Sequence, residues 1–291
     1  MGKIIVTGAS GHLGTAAIRH LIDLGTPAGD IVGIVRDPAK ASALAEWGVE
    51  LRIGDYDNAA SLPAAFEGGE KLLFVSASSM DNTLRVRQHA NVVEAARNAG
   101  IRHIAYTSFA FPDKMTIGLE NVHLATEYML RTTGIAYTFL RNGFYLDLLV
   151  NEGTPGVAAG GTVVSAAPTG KLNYVTRDNL ARAAAVVLAG EGHENKIYEL
   201  TSPQPFSYDD YAAVLAEVSG TSVAHQALPA PEAVAALASA GVPEEAGGFL
   251  VYVIDAAIER GEFASASTDL TDLIGEAYTP LKSAVEAVIK G

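Results

Sequence analysis

A glycine-rich turn between a short apolar strand and a helical pattern narrows the folds open to this chain more than any other sequence feature. Lys3–Thr7 is an apolar, β-branched run, and Gly8, Gly11 and Gly14 follow it where a helical pattern begins. In such a turn Gly8 permits a tight bend, Gly11 lets the backbone approach a pyrophosphate, and Gly14 lets helix and strand pack closely. The helix N-terminus attracts the anion. We therefore expect a dinucleotide site built from Thr7, Gly8, Ser10, Gly11, His12, Leu13 and Gly14.

The alternation of strand and helix continues through the first half of the chain. Glycines stand where helix C-terminal caps belong, at Gly25, Gly48, Gly100 and Gly134. Strands that alternate with helices form parallel sheets covered on both faces. We predict an α/β fold with a Rossmann-type doubly wound parallel sheet. Its strands would be Lys3–Thr7, Asp30–Val35, Val49–Ile53, Lys71–Ser76, His103–Thr107 and Ala136–Leu140, and its helices Leu13–Leu24, Ala39–Trp47, Leu84–Ala99 and Leu119–Thr133.

The pattern changes near residue 150, where glycine and proline residues crowd into a loop-rich stretch. We therefore divide the chain into a Rossmann domain that binds NAD(P), residues 1–150, and a smaller, mostly helical region that binds substrate, residues 151–291. Residues 175–201 are expected to return to the main sheet. The elements predicted in this half are a strand at Lys196–Leu200 and helices at Val175–Ala189, Tyr208–Val218, Pro231–Ala240, Glu245–Gly261 and Leu281–Ile289.

Charge and composition restrict the partners and the compartment. Asp and Glu total 33 against 20 Lys and Arg, a net charge of −13, so no nucleic acid is expected as a partner. No apolar run approaches the roughly 18 residues of a membrane helix, and the opening residues lack a signal-peptide pattern, so we expect no membrane and a cytoplasmic protein. The chain has 7 histidines without metal-ligand spacing and no cysteine, so neither a metal site nor a disulfide is expected.

The end of the second predicted strand indicates which dinucleotide is bound. An acidic residue there would hold the ribose 2′-hydroxyl of NAD, but this chain has Arg36, with Lys40 one turn on. A guanidinium binds a 2′-phosphate bidentately, which favours NADPH over a weaker use of NADH. The alternative is a solvated surface pair of Arg36 with Asp37. Asp55 and Tyr56 are placed at the adenine, although Asp55 also suits a helix cap.

Small, hydroxyl and aromatic residues follow the fourth, fifth and sixth strands. In a doubly wound sheet the nicotinamide lies beyond the carboxyl ends of the strands, near the switch point. Small residues there allow close approach, hydroxyls suit a carboxamide, and aromatic side chains suit a flat substrate. We assign Ser76, Ala77, Ser78, Thr107, Asn142 and Gly143 to the cofactor. The substrate pocket is assigned to Phe109, Phe144 and Tyr145, with core packing of these rings as the alternative.

The predicted helix Leu119–Thr133 lacks the Tyr-x-x-x-Lys pair that serves alcohol and sugar oxidation in short-chain dehydrogenases. The pair at that spacing here is His123 and Glu127. A carboxylate raises the pKa of a neighbouring acid instead of lowering it, so alcohol and sugar chemistry is disfavoured. His123 is the candidate catalytic proton donor, against the alternative of a structural helix histidine. We expect Glu127 to make a local hydrogen bond or salt bridge.

Several longer stretches resemble the NmrA-like branch of atypical short-chain dehydrogenases, including its triphenylmethane dye reductases and flavin-free quinone oxidoreductases. The resemblance spans essentially the whole chain. It implies NADPH-dependent hydride transfer, without flavin, to a small, flat aromatic substrate, and it leaves a homo-oligomer open. The branch also includes NADP(H)-sensing regulators without turnover, which is the alternative. The stretches are Val35–Lys40, Asp81–Leu84, Gln88–Val93, His103–Thr107, Val122–Tyr128, Tyr137–Asn142, Val150–Gly153 and Gly192–Lys196.

Overall fold

The computed structural model describes residues 2–265 and 267–291, and a seven-stranded parallel sheet lies at its centre. In chain order the strands are β1 (Lys3–Val6), β2 (Ile31–Val35), β3 (Glu50–Ile53), β4 (Gly69–Phe74), β5 (His103–Phe109), β6 (Ala136–Asn142), β7 (Phe144–Tyr145), β8 (Thr162–Ser165), β9 (Lys171–Leu172), β10 (Tyr174–Val175), β11 (Lys196–Leu200), β12 (Phe206–Ser207) and β13 (Ala224–Ala227). The sheet order is β11-β6-β5-β4-β1-β2-β3, so the winding reverses between β1 and β4. This arrangement confirms the predicted fold class.

Helices cover both faces of the sheet. On one face α1 and α7 pack against each other, and on the other α3 and α4 cover Ile5, Phe74 and Phe139. The carboxyl ends of the strands remain for connecting loops, and the candidate site lies there. The helices are α1 (His12–Asp23), α2 (Ser42–Glu46), α3 (Leu62–Phe66), α4 (Asn82–Asn98), α5 (Glu120–Thr132), α6 (Thr154–Gly160), α7 (Arg177–Ala189), α8 (Tyr208–Ser219), α9 (Ala230–Ser239), α10 (Glu244–Phe249), α11 (Ala256–Glu259), α12 (Asp269–Ile274) and α13 (Leu281–Ile289).

The second half of the chain packs with Met115, Leu146 and Val150 in a separate hydrophobic cluster. Tyr211, Leu215, Ile254 and Val285 are among its fully buried members. Its helices are supplemented by three short strand pairings, β7 with β10, β8 with β13 and β9 with β12. Meanwhile β11 pairs in parallel with β6 in the main sheet. The division of the chain near residue 150 stays a prediction.

Three predicted helices differ from the structure. The expected helix Val175–Ala189 begins at Arg177, because Val175 lies in β10 and pairs with Tyr145 of β7. The Thr176 hydroxyl accepts a hydrogen bond from the Asn179 amide at 3.1 Å and so caps the helix. Two other stretches were each predicted as one continuous helix, but the structure divides them. Ala39–Trp47 divides into a 3₁₀ turn, Pro38–Ala41, followed by α2, and Glu245–Gly261 divides into α10, a π-helical segment at Leu250–Asp255, and α11.

The described part of the chain contains no helix that is both long and apolar enough to cross a bilayer. Within those same residues no group of three or more His, Asp and Glu side chains is arranged to hold a metal ion.

Candidate active site

The glycine turn after β1 has the backbone geometry that its sequence predicts. Gly8 adopts a φ of +59°, a conformation that favours glycine over residues with a side chain. A Cβ atom on Gly14 would lie 2.3 Å from the Gly8 carbonyl oxygen, so only glycine lets α1 approach the turn this closely. The shape of the loop therefore depends on both glycines: a side chain would be strained at Gly8 and would collide with the backbone at Gly14.

The N-terminus of α1 is open at this turn. Gly11 is the N-cap residue, and within residues 2–265 and 267–291 no side chain caps the helix. The first turn of α1 carries no acidic residue, and Ser10, Gly11 and His12 are exposed. Unpaired N–H groups at a helix N-terminus together with the helix dipole form an anion site. The structure thus brings the predicted phosphate-binding residues together around that terminus, with Thr7, Leu13 and Gly14 buried behind it.

Two exposed cations stand beside the carboxyl end of β2. Arg36 follows the last residue of that strand, and Lys40 lies in the next 3₁₀ turn. The Asp37 carboxylate accepts a hydrogen bond from the Ala39 amide at 3.0 Å. In the described part of the chain Arg36 forms no direct ion pair, and both Arg36 and Asp37 are exposed, so the choice between a 2′-phosphate contact and a solvated surface pair stays open. The binding of a 2′-phosphate by Arg36 and Lys40 stays a prediction.

The two residues predicted at the adenine make internal contacts. The Asp55 carboxylate accepts a hydrogen bond from the Asp57 amide at 3.0 Å and so shapes its own turn. The Tyr56 hydroxyl donates to the Val75 carbonyl at 2.8 Å, and its ring packs edge-on against Phe74. Tyr56 therefore joins the end of β3 to the end of β4, and its place at the adenine stays a prediction.

The loops after β4, β5 and β6 meet at one edge of the sheet. The Thr107 hydroxyl accepts a hydrogen bond from the Ser76 amide at 2.9 Å, which joins the ends of β4 and β5. The Gly143 amide donates to the Leu200 carbonyl at 2.9 Å, which joins β6 to β11. Ala77 is half-buried and Ser78 exposed beside them, and Asn142 is buried. The residues predicted for the nicotinamide end thus share this edge of the sheet.

His123 lies behind that edge as a buried, neutral imidazole. Its Nε2 atom is 3.3 Å from an Arg85 guanidinium nitrogen, and its Nδ1 atom is 2.9 Å from the Tyr106 hydroxyl. A guanidinium can only donate, so Nε2 accepts and Nδ1 carries the proton. Burial, reinforced by the positive charge of Arg85, holds the pKa of His123 well below its usual range. At neutral pH this side chain presents no acidic proton toward Arg85.

The three aromatic residues assigned to the substrate pocket lie in packed surroundings. The Phe144 ring contacts Tyr174 and Phe263 edge-on at centroid distances of 5.3 and 5.4 Å, and the Arg177 guanidinium lies 4.4 Å from the Tyr145 ring. Phe109 and Phe144 line a cavity of about 10 Å³, room for about one water molecule. An aromatic acceptor therefore requires movement of these rings or a place beside them.

This chain is similar to known proteins over most of its length. A model of the NmrA-like family matches residues 1–283. The chain belongs to the NmrA-like family. It is 40% identical over 282 residues to quinone oxidoreductase 2 of Escherichia coli K12, covering 97% of each chain. It is 30% identical to an NAD(P)H azoreductase of Xenophilus azovorans over 83% of this chain and 82% of that one.

Two solved structures with bound cofactor match this NmrA-like chain over nearly its full length. The triphenylmethane reductase of Citrobacter sp., complexed with NADP(H), is 51% identical, covers 98% of this chain and all of its own, and has a TM-score of 0.94. The NADPH-dependent quinone oxidoreductase of E. coli, complexed with NADPH, is 40% identical, covers 98% and 99%, and has a TM-score of 0.90. The predicted family resemblance is thereby confirmed.

A histidine that the sequence analysis did not single out fixes the loop after β4 in this NmrA-like protein. The His89 Nε2 atom accepts a hydrogen bond from the Ala77 amide at 2.9 Å, and its Nδ1 atom donates to the Thr126 hydroxyl at 2.7 Å. Burial, with a smaller effect of the Arg85 charge, lowers the pKa of His89 to about 3. The motif Gln88–Val93 contained this residue, but helical periodicity alone gives no sign of its role.

A buried ion-pair network supports the loop after β5. Arg141 donates to the Glu127 carboxylate at 2.7 and 2.9 Å and to Glu199 at 2.9 Å, which confirms the expected salt bridge of Glu127. Burial lowers the Arg141 pKa, but the hydrogen bonds to both carboxylates outweigh it and raise that pKa overall. Ser108 donates to Glu127 at 2.6 Å, and Glu199 accepts from the amide of Phe111, whose φ is +47°. The network thus positions the residues beside the small aromatic cavity.

A larger cavity of about 620 Å³ lies at the opposite end of the sheet. Gly2, Glu70 and Lys71, at the amino ends of β1 and β4, line it together with the residues that follow α7. Ligands of doubly wound sheets bind beyond the carboxyl ends of the strands, so this cavity is not the dinucleotide site. The Lys71 ammonium donates to the Leu188 and Gly190 carbonyls at 2.7 and 3.0 Å and thereby closes the C-terminus of α7.

Proposed function

We propose that this protein is an NADPH-dependent reductase that transfers hydride directly to a flat aromatic acceptor, a quinone or a triarylmethane dye, without flavin. The observation that carries the proposal is the open N-terminus of α1 at its glycine turn, in a chain that matches two reductases complexed with NADP(H) or NADPH over nearly its full length. Both of those relatives have aromatic acceptors in their names. The proposal extends their activity to this chain.

The cofactor would lie across the switch point between β1 and β4. The pyrophosphate would bind the first-turn amides of α1, and Arg36 and Lys40 would bind the 2′-phosphate that distinguishes NADPH from NADH. The nicotinamide would reach the edge formed by Ser76 and Thr107, where small residues allow close approach. The 2′-phosphate end and the nicotinamide end of the cofactor would then both meet groups that the fold has already positioned. Such positioning would orient the nicotinamide for hydride transfer.

The acceptors make a protein acid unnecessary. A triarylmethane cation becomes neutral on receiving hydride and takes up no proton. A quinone becomes a hydroquinone anion, whose conjugate acid has a phenol-like pKa near 10, so water can supply the proton afterwards. The neutral state of His123 is consistent with this chemistry, because a buried imidazole without a proton facing the site is a poor general acid.

An NADPH-oxidation assay with the purified, flavin-free protein tests the proposal. The panel should include a neutral quinone, a cationic triarylmethane dye and an aliphatic aldehyde as control acceptor. We expect turnover with at least one aromatic acceptor and none with the aldehyde. NADPH binding without turnover across the aromatic panel would contradict the proposal and favour the NADP(H)-sensing regulator.

A further inference from the structure

Arg85 is a buried cation without an acidic partner. Its side chain, on the first turns of α4, is only 6% exposed, and its Nε atom has no hydrogen-bond partner among the described residues. Its terminal nitrogen donates to the neutral acceptors Ser76 and His123 at 3.4 and 3.3 Å. In residues 2–265 and 267–291 it forms no ion pair with a carboxylate. Burying an unpaired charge is costly, so an anion at this place would stabilise it.

The guanidinium lies at the reacting end of the candidate site. Ser76 belongs to the sheet edge proposed for the nicotinamide, and His123 lies behind that edge on α5. The His123 ring is in turn 5.9 Å from the Phe109 ring, measured between centroids. Burial raises the pKa of the Tyr145 hydroxyl, and the positive charge of Arg85 opposes that shift as a minor contribution. Arg85 therefore contacts the nicotinamide edge through Ser76, and its other contact, His123, adjoins the Phe109 ring assigned to the acceptor.

We propose that Arg85 determines which acceptors are reduced, by stabilising acceptors on which negative charge develops at an oxygen and disfavouring acceptors that carry a positive charge. This inference rests on the proposed function, and it names quinones as the preferred class over cationic triarylmethane dyes. The positive charge is already oriented and partly desolvated, the arrangement that best stabilises charge developing in a transition state.

The two reactions differ in charge at the acceptor. When NADPH gives a hydride to a neutral quinone, the nicotinamide C4–H bond breaks, NADP⁺ forms, and the quinone gains two electrons and one proton as the hydroquinone monoanion. A proton from water then completes the hydroquinone. When the same hydride adds to the central carbon of a triarylmethane cation, a C–H bond forms and the product is neutral. Arg85 attracts the first product and repels the second substrate.

The test compares Arg85→Met with the matched control Arg87→Met. Arg87 lies two residues on in the same helix but is exposed, so both variants lose one positive charge from α4. We expect Arg85→Met to lower kcat/KM for a neutral quinone by about tenfold to a hundredfold, the range of a charged hydrogen bond, and not to lower it for a cationic dye. The Kd for NADPH should change less than about twofold. Arg87→Met should leave both acceptors within about twofold.

An unchanged ratio of quinone to dye activity in Arg85→Met would overturn the inference, as would a loss of NADPH affinity that explains the whole effect. If the wild-type protein reduces neither acceptor, the proposed function itself is refuted, so the two failures are distinguishable. If Arg85→Met does not fold, the wild-type enzyme can be compared on two quinones of the same ring, one sulfonated and one with a quaternary ammonium group. The net charge of −13 attracts the cationic quinone at long range. A higher kcat/KM for the sulfonated quinone would therefore support the proposed role of Arg85, and equal or reversed values would overturn that role.

Discussion

At the scale of single residues, Arg36 should determine the choice of cofactor. It is exposed beside β2 and forms no ion pair in the described residues, so its guanidinium can bind a 2′-phosphate. A charged hydrogen bond of this kind contributes about 1.5–3 kcal/mol. Arg36→Ala should therefore weaken NADPH binding about tenfold to a hundredfold and leave NADH binding nearly unchanged. Dissociation constants for both cofactors, measured by fluorescence titration, check this.

The matched control for this prediction is Arg97→Ala, which removes an exposed positive charge from the last turn of α4, away from the glycine turn. It should leave the ratio of the two dissociation constants unaltered. If Arg36→Ala also leaves that ratio unaltered, another residue recognises the 2′-phosphate.

His123 should contribute little to the chemical step with a cationic dye. Its buried imidazole accepts from Arg85 and is neutral at working pH, and the dye takes up no proton. General acid catalysis typically contributes 10²–10⁴-fold, so His123→Ala should cost less than about tenfold in kcat/KM for the dye. A loss of a hundredfold or more, with fold and NADPH binding intact, would make His123 an acid catalyst.

The residues of the site differ in how readily the sequence predicts them. The glycine turn was predictable because Gly8 and Gly14 are required by backbone geometry, which is the same in any chain that makes this turn. Arg85 was not predictable, because an arginine in a polar helical stretch is ordinarily solvated. Only the packing of α4 against α5 reveals that its guanidinium is buried between Ser76 and His123.

At the scale of secondary-structure elements, His89 joins α4 to α5 and to the loop after β4, and this junction should weaken in acid. The folded-state pKa is about 3, whereas an unfolded chain would have the ordinary histidine value near 6.5. The unfolded state therefore binds more protons between these values, so stability is full above about pH 6.5 and falls as the pH falls toward 3.

The variant His89→Gln isolates this contribution. The amide oxygen of glutamine can still accept from the Ala77 amide, but the side chain does not titrate. The difference in unfolding free energy between wild type and variant should shrink by about 1 kcal/mol per pH unit between pH 6 and 4. Urea denaturation at three pH values measures it. Parallel pH dependences in the two proteins would mean that His89 is protonated in the folded state.

The elements themselves were largely predictable, and the exceptions have physical causes. The strands of the main sheet differ from expectation by a few residues at their ends, because an apolar run such as Val49–Ile53 identifies a strand but not the residue at which its pairing begins or ends. The short pairings β7 with β10 and β9 with β12 involve two residues each and have no periodic signal. They are held by the cluster that includes Tyr174, which forms only after the chain has folded.

At the scale of the whole molecule, the parallel sheet was predictable but the state of the acceptor pocket was not. Alternating strands and helices indicate a parallel sheet, and the right-handed crossovers decide which face of the sheet each helix covers. Whether Phe109 and Phe144 line a pocket or pack as core depends on contacts with residues distant in sequence, such as Phe263. The structure shows these rings packed around a small cavity, so an acceptor must either displace them or bind beside them.

Direct hydride transfer from NADPH without flavin can be followed with NADPH deuterated at C4. The flavin-free protein is incubated with a cationic triarylmethane dye and each of the two C4-deuterated forms of NADPH, and the leuco dye is analysed by mass spectrometry. Direct transfer predicts that one of the two forms places a full deuterium on the central carbon, where it does not exchange with water. Leuco dye that contains no deuterium from either form would contradict direct hydride transfer.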